Sequence, residues 1–160
     1  MAEELTHVDE AGAARMVDVS DKRPGARLAV ATGVLRTTEE VVSLLRRDGL
    51  PKGDALATAR IAGIMGAKRT PDLVPLCHPI ALAGVVVDLA AEGSDVRITA
   101  TVRTTDRTGV EMEALTAVTV AGLTLHDMVK AVDPAATLDA VRVERKEGGK
   151  TGLWTRPEDR

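Results

Sequence analysis

A chain of 160 residues with no phenylalanine, no tyrosine and one tryptophan has to build its core from Val, Leu, Ile, Ala and Met. Such side chains are small, so backbones must approach closely to exclude water. At this length the chain is expected to form one domain that buries roughly two-thirds of its unfolded surface. Residues 1–15 are polar and read as a flexible N-terminal segment. Residues 16–160 read as a single catalytic domain with a Gly-rich basic C-terminal tail.

The formal charge of −3 argues against a nucleic-acid partner, which leaves a basic footprint, and the missing aromatics remove base-stacking platforms. One cysteine excludes an intrachain disulfide framework and any paired-cysteine zinc pattern, which fits a reducing cytoplasm. MAEELTHVDE has neither a basic nor an apolar signal region. No apolar run approaches the roughly 18 residues of a membrane span, so no membrane partner is expected and the localisation is read as cytoplasmic.

The local pattern predicts elements in the order strand, helices, strand, strand, helix, strand. Met16 to Val19 could be a short strand before the turn chemistry of SDKRPG. Arg27 to Arg36 is apolar and β-branched, a strand. Thr37-Thr38-Glu39-Glu40 offers a hydroxyl cap and first-turn acids for a helix to about Arg47, ended by Asp48-Gly49. Asp54 is a helix cap for ALATARIAGIMGAKR, in which Leu56, Ile61, Ile64 and Met65 recur at helical spacing. Ala83–Leu89 and Val96–Arg103 form a hairpin across AAEGSD. A long helix runs from Val110 to Lys130, with Leu115, Val118, Leu125 and Val129 on one face, and Asp133-Pro134 stops it. Leu138–Glu144 is the last strand. This is the βαββαβ order of an α+β, ferredoxin-like sandwich with an additional helix, a fold that hosts many activities.

Chemistry concentrates in KRTPDLVPLCHP, where Pro71, Pro75 and Pro79 stiffen an irregular segment carrying Cys77 and His78. It reads as a site, or as a proline-stiffened connector with a buried thiol. Lysines at helix edges and in the Gly-rich RKEGGKTG suit a polyphosphate, although any one of them alone is better explained as a solvated surface group. On the long helix, a turn of about 100° per residue puts Glu113, Thr116, Thr124 and Asp127 on one side, with Lys130 at its border and Glu111 elsewhere. Asp127 and Lys130, three apart, form an acid/base pair or an ordinary surface ion pair. Adjacent Cys77 and His78 seldom chelate one ion, so no metal cage is expected. Cys77 with His78 is also a poor nucleophile pair, while His7 and His126 sit in no constraining pattern.

LTHVDEAGAARMVDVSDK, KGDALATARIAGIMGAKRTPDLVPLCHP, GVEMEALTAVTVAGLTLHDMVKAV and GGKTG together resemble the MoaC family of molybdenum-cofactor biosynthesis across nearly the whole chain. Two positions depart from the family pattern, His126 before the aspartate and Pro71 after RT. The resemblance implies a ferredoxin-like subunit in a hexamer, a trimer of dimers, with the site at the dimer interface. The implied small-molecule substrate is 3′,8-cyclo-7,8-dihydro-GTP, rearranged to cyclic pyranopterin monophosphate with release of pyrophosphate. By resemblance the catalytic residues are Asp127, Lys130 and Lys52. Leu76, Cys77, His78, Met112 and Glu113 contact substrate, together with Lys68 and Glu111. Lys146 and Lys150 are added as phosphate-binding candidates. No resident cofactor is expected, with Mg²⁺ able to accompany the triphosphate. The alternatives are a non-catalytic small-molecule-binding oligomer of the same fold and a purely structural oligomer.

Overall fold

Alternation of side chains sets the first strand, β1 (Gly25–Arg36): Ala29, Ala31, Gly33 and Leu35 are buried, and Val30, Thr32 and Val34 between them are only partly covered. One face of the sheet is therefore sealed and the other open. The computed structural model describes residues 7–47 and 54–158. Helix α1 (Glu39–Arg46) begins where the Thr38 hydroxyl accepts from Val41 N at 3.2 Å. Helix α2 (Ala55–Lys68) begins where the Asp54 carboxylate accepts from Ala57 N at 2.9 Å. Both caps satisfy N–H groups that a helix start leaves free, as the sequence predicts.

Pro71 then starts a single further turn, α3 (Thr70–Leu73). Strands β2 (Gly84–Glu92) and β3 (Asp95–Asp106) form the expected hairpin, turning at Gly93 with φ +59°. Helix α4 (Glu111–Val129) leads to β4 (Thr137–Glu147) and a two-residue β5 (Trp154–Thr155). The antiparallel sheet runs β2-β3-β1-β4-β5. This is the α+β, ferredoxin-like arrangement, with β5 added at one edge.

The small-residue core takes the form that close packing demands. Ala55, Ala59, Gly63, Gly66 and Ala67 of α2 are buried, as are Ala114, Ala117 and Ala121 of α4. A Cβ at Gly63 would lie 2.9 Å from the Ala117 carbonyl oxygen and 3.2 Å from Ala121 Cβ, so the two helices touch through the glycine. Leu35, Ile98 and Leu125 are the largest fully buried side chains, each contributing about 1.5–3 kcal/mol.

Three local expectations are corrected. The spacing of Leu56, Ile61, Ile64 and Met65 marks the α2 helix, yet only Leu56 and Ile64 pack against the core, while Ile61 is 60% and Met65 51% exposed. The face of α2 with small residues goes inward because it alone lets α4 approach. Met16–Val19 is not a strand, and nearby only a single bridge joins Val8 to Ala14. The end of RKEGGKTG does not trail away: the chain turns through Gly148, Gly149 and Gly152, all at positive φ, and returns along β4 as β5. The Asp48-Gly49 stop lies outside the described residues.

The outward edge of β2 is occupied by side chains. Arg60 Nε donates to the Val87 carbonyl at 3.0 Å, and Arg46 donates from Nε and a terminal nitrogen to the Ala91 carbonyl at 3.0 and 2.6 Å. These bonds fill acceptors that an edge strand otherwise offers to another chain.

Candidate functional site

The stiff segment after α3 is anchored at both ends. Its turn closes with Cys77 N donating to the Val74 carbonyl at 3.0 Å, and His78 Nε2 lies 2.7 Å from the Val17 carbonyl oxygen. Leu76, Cys77 and His78 thereby face the first turn of α4 across a cleft of about 290 Å³, with Met112 and Glu113 opposite and His7 at the rim. The sequence separates these groups by more than thirty positions; the fold brings them together as expected.

Glu113 is the chemically distinctive member. Its residue is 3% exposed, and burial pushes the carboxyl above its ordinary pKa of 4.5, aided by the like charge of Glu111 and opposed by a hydrogen bond to its own backbone. A protonated carboxyl in a cleft can donate a hydrogen bond or a proton. Burial, then the Glu113 charge, raises the Cys77 thiol as well. Cys77 is therefore held as the thiol, which argues against a nucleophilic role.

Beside this cleft, and sharing Glu111 with it, lies a second hollow of about 490 Å³. Lys22, Arg23, Arg27, Arg107, Lys146 and Lys150 line it, against the acids Glu111 and Glu147. Lys146 Nζ sits 3.2 Å from Glu111 Oε1, linking β4 to the start of α4. The excess positive charge, the α4 N-terminus without a side-chain cap and the glycine-rich turn 148–152 give this hollow the chemistry that suits a polyphosphate. Lys146 and Lys150 were expected there. Arg27, Arg107, Lys22 and Arg23 were not: in the sequence they lie in a strand, a loop and a turn, and only the tertiary fold collects them.

The remaining expected residues lie elsewhere. Asp127 and Lys130 form a 2.7 Å ion pair, each side chain 54% exposed, near the opposite end of α4. Glu113 and Asp127 are fourteen residues apart, which at about 1.5 Å per residue separates them by roughly 21 Å. Lys68 is exposed at the end of α2, lining neither hollow. Lys52 lies outside the described residues. Among the described residues no group of three or more His, Cys, Asp or Glu side chains is placed to hold a metal ion, and no helix is long and apolar enough to cross a membrane.

Known proteins resemble the chain over nearly its full length. The family model described as MoaC family matches residues 16–149. A Streptomyces coelicolor protein named cyclic pyranopterin monophosphate synthase is 69% identical over 152 residues, covering 95% of this chain and 89% of its own. A Mycobacterium bovis protein named cyclic pyranopterin monophosphate synthase 2 is 65% identical, with coverages of 96% and 92%. A Corynebacterium glutamicum protein with the first of these names is 56% identical, with coverages of 94% and 97%.

Proposed function

The chain belongs to the MoaC family, and from that premise we propose that it is a lyase of molybdenum-cofactor biosynthesis, converting 3′,8-cyclo-7,8-dihydro-GTP to cyclic pyranopterin monophosphate and pyrophosphate. The observation that carries this reading is 69% identity over 95% of the chain to a protein named for that synthesis. A non-catalytic binding role is not favoured by such relatives.

The chemistry asks for two kinds of surface. A triphosphate that yields a cyclic monophosphate and pyrophosphate must have its α-phosphorus attacked by a hydroxyl of the same molecule. A new P–O bond forms, the bond to the β-phosphate breaks, and a base takes the hydroxyl proton. The basic hollow with Lys146 and Lys150 suits the phosphates and the departing pyrophosphate; Lys68, which is not among its lining, and Lys52 are further candidates for phosphate contact. Any Mg²⁺ would arrive with the triphosphate. The cleft of Leu76, Cys77, His78, Met112 and Glu113 suits the base and ribose end, where the Glu113 carboxyl, its pKa raised by burial, is placed to give or take a proton.

Asp127 and Lys130 would manage protons at the pterin-forming centre, although one chain holds them roughly 21 Å from Glu113. An isologous pairing of helical layers resolves this: a two-fold axis across the middle of α4 brings Glu113 of one copy toward Asp127 of its neighbour. Exposed Ile61, Met65 and Leu123 on α2 and α4 support such a contact. The dimers would assemble into a hexamer, in the cytoplasm.

The test is incubation of the purified protein with the cyclic dihydro-GTP substrate, measuring pterin product and pyrophosphate. Formation of both in equal amounts is expected. Binding of the substrate without turnover would overturn the assignment.

A further inference from the structure

Strand β4 departs twice from a regular register with β1, between Thr32 and Val34 and again between Val30 and Ala31, and the second departure sets the face on which Lys146 lies. Along β1, Ala31 pairs with Val143 and Val30 with Arg145, so Glu144 has no opposite residue. It is a β-bulge. Beyond it Ala29 pairs with Lys146, and Ala29 is fully buried on the helix-covered face, where Lys146 reaches Glu111. Without the bulge, Lys146 would pair with Leu28 and point from the open face, away from the basic hollow.

Burial holds this register only at the start of the strand, where Leu138 packs against the core beside Gly122. No side chain of β4 is fully buried, and a strand without a buried face is weakly specified and prone to slip by one residue. At the bulge itself the contacts converge on Arg156. Its backbone N donates to the Glu144 carbonyl at 2.8 Å, and its Nε donates to the Val143 carbonyl at 2.8 Å. The same Nε lies 3.7 Å from Glu144 Oε2, and the guanidinium carbon lies 5.8 Å from the Trp154 ring centroid. Glu144 Oε1 in turn accepts from the Thr32 hydroxyl and from Arg142 Nε, each at 2.7 Å. Burial alone would raise the Glu144 carboxyl; these donors and the charges of Arg142 and Arg156 outweigh it and lower it instead, keeping it an anion.

We propose that Arg156 is a positioning residue for the substrate's phosphates: by clamping the bulge at Glu144 it keeps Lys146 in the basic hollow and closes the hairpin that carries Lys150. The inference rests on the reading above that Lys146 holds a phosphate. Arg156 itself lines neither hollow and acts through β4.

A double-mutant cycle with the cyclic dihydro-GTP substrate tests it. Lys146→Ala is expected to raise KM about tenfold, as for loss of a charge-assisted contact made in ground and transition states alike, with kcat within about twofold. Arg156→Ala is expected to do the same alone, and to add less than about twofold in the Lys146→Ala background. Arg156→Lys, which retains a charged donor, should recover part of the loss. If the effects of Arg156→Ala and Lys146→Ala multiply, or if Arg156→Ala lowers thermal stability with KM unchanged, the inference is wrong. An unchanged KM in Lys146→Ala alone would instead overturn the reading of the hollow, and the inference with it. Should Arg156→Ala fail to fold, Arg156→Gln, which keeps a donor for Val143 without the charge, carries the same cycle.

Discussion

The imidazole Nε2 of His78 lies 2.7 Å from the main-chain carbonyl oxygen of Val17. A carbonyl oxygen only accepts, so Nε2 carries a proton and, in the neutral ring, Nδ1 is left as the basic nitrogen. A contact sixty-one residues distant in sequence thus selects the atom of His78 that is able to take a proton. Nitrogen NMR of the wild-type protein with the ring neutral is expected to show the Nε2–H tautomer at His78. Dominance of the Nδ1–H form would contradict the assignment.

Glu113 makes stability depend on pH in a direction opposite to a salt-bridged acid. Its pKa in the folded protein is raised above 4.5 by burial, so the stability present when it is protonated in both states is lost as pH rises through the folded value. Glu113→Gln stays neutral throughout. In denaturant titrations the variant should match wild type most closely below about pH 4.5, the ordinary value, and gain on it toward pH 7.5, while turnover falls. A stability difference that does not change with pH would contradict the buried, raised carboxyl.

Gly63→Ala should destabilise, although alanine is the better helix former by about 1 kcal/mol. The added Cβ would meet the Ala117 carbonyl oxygen at 2.9 Å, and that neighbour is backbone which cannot rotate away. Forcing α2 from α4 is expected to cost about 1–3 kcal/mol, enough to outweigh propensity. A thermal melt shows the sign: a raised Tm would mean that the helices are not in close contact.

The proposed shared site predicts complementation between inactive chains. Glu113→Gln and Asp127→Asn proteins co-folded in equal amounts should recover roughly a quarter of wild-type activity, because about half the dimers are mixed and half of their sites intact. Ile61→Asp with Met65→Asp should dissociate the assembly and abolish that recovery. Verified mixed dimers without activity would place the site within one chain, or leave Glu113 without a part in it.

What the sequence determined by itself is what short-range physics controls. The caps at Thr38 and Asp54, the apolar, β-branched run Arg27–Arg36, the hairpin turn within AAEGSD and the stop at Asp133-Pro134 each depend on a few neighbouring residues, and all were legible. Family blocks marked Leu76–His78 and Met112–Glu113 as a site, and the fold joins them in one cleft. Tertiary structure decided the rest, because each remaining outcome is a choice between two locally acceptable states. Helix α2 has two apolar faces, and only proximity to α4 turns its glycines and alanines inward and leaves Ile61 and Met65 exposed. Lys146 alternates onto either face of β4 according to one unpaired residue, Glu144, whose freed carbonyl is taken by Arg156 twelve positions later. Arg27 and Arg107 are unremarkable cations on separate elements until β1, β3 and the turn after β4 converge on one hollow, since a field of like charges is set by distance in space and not by distance along the chain.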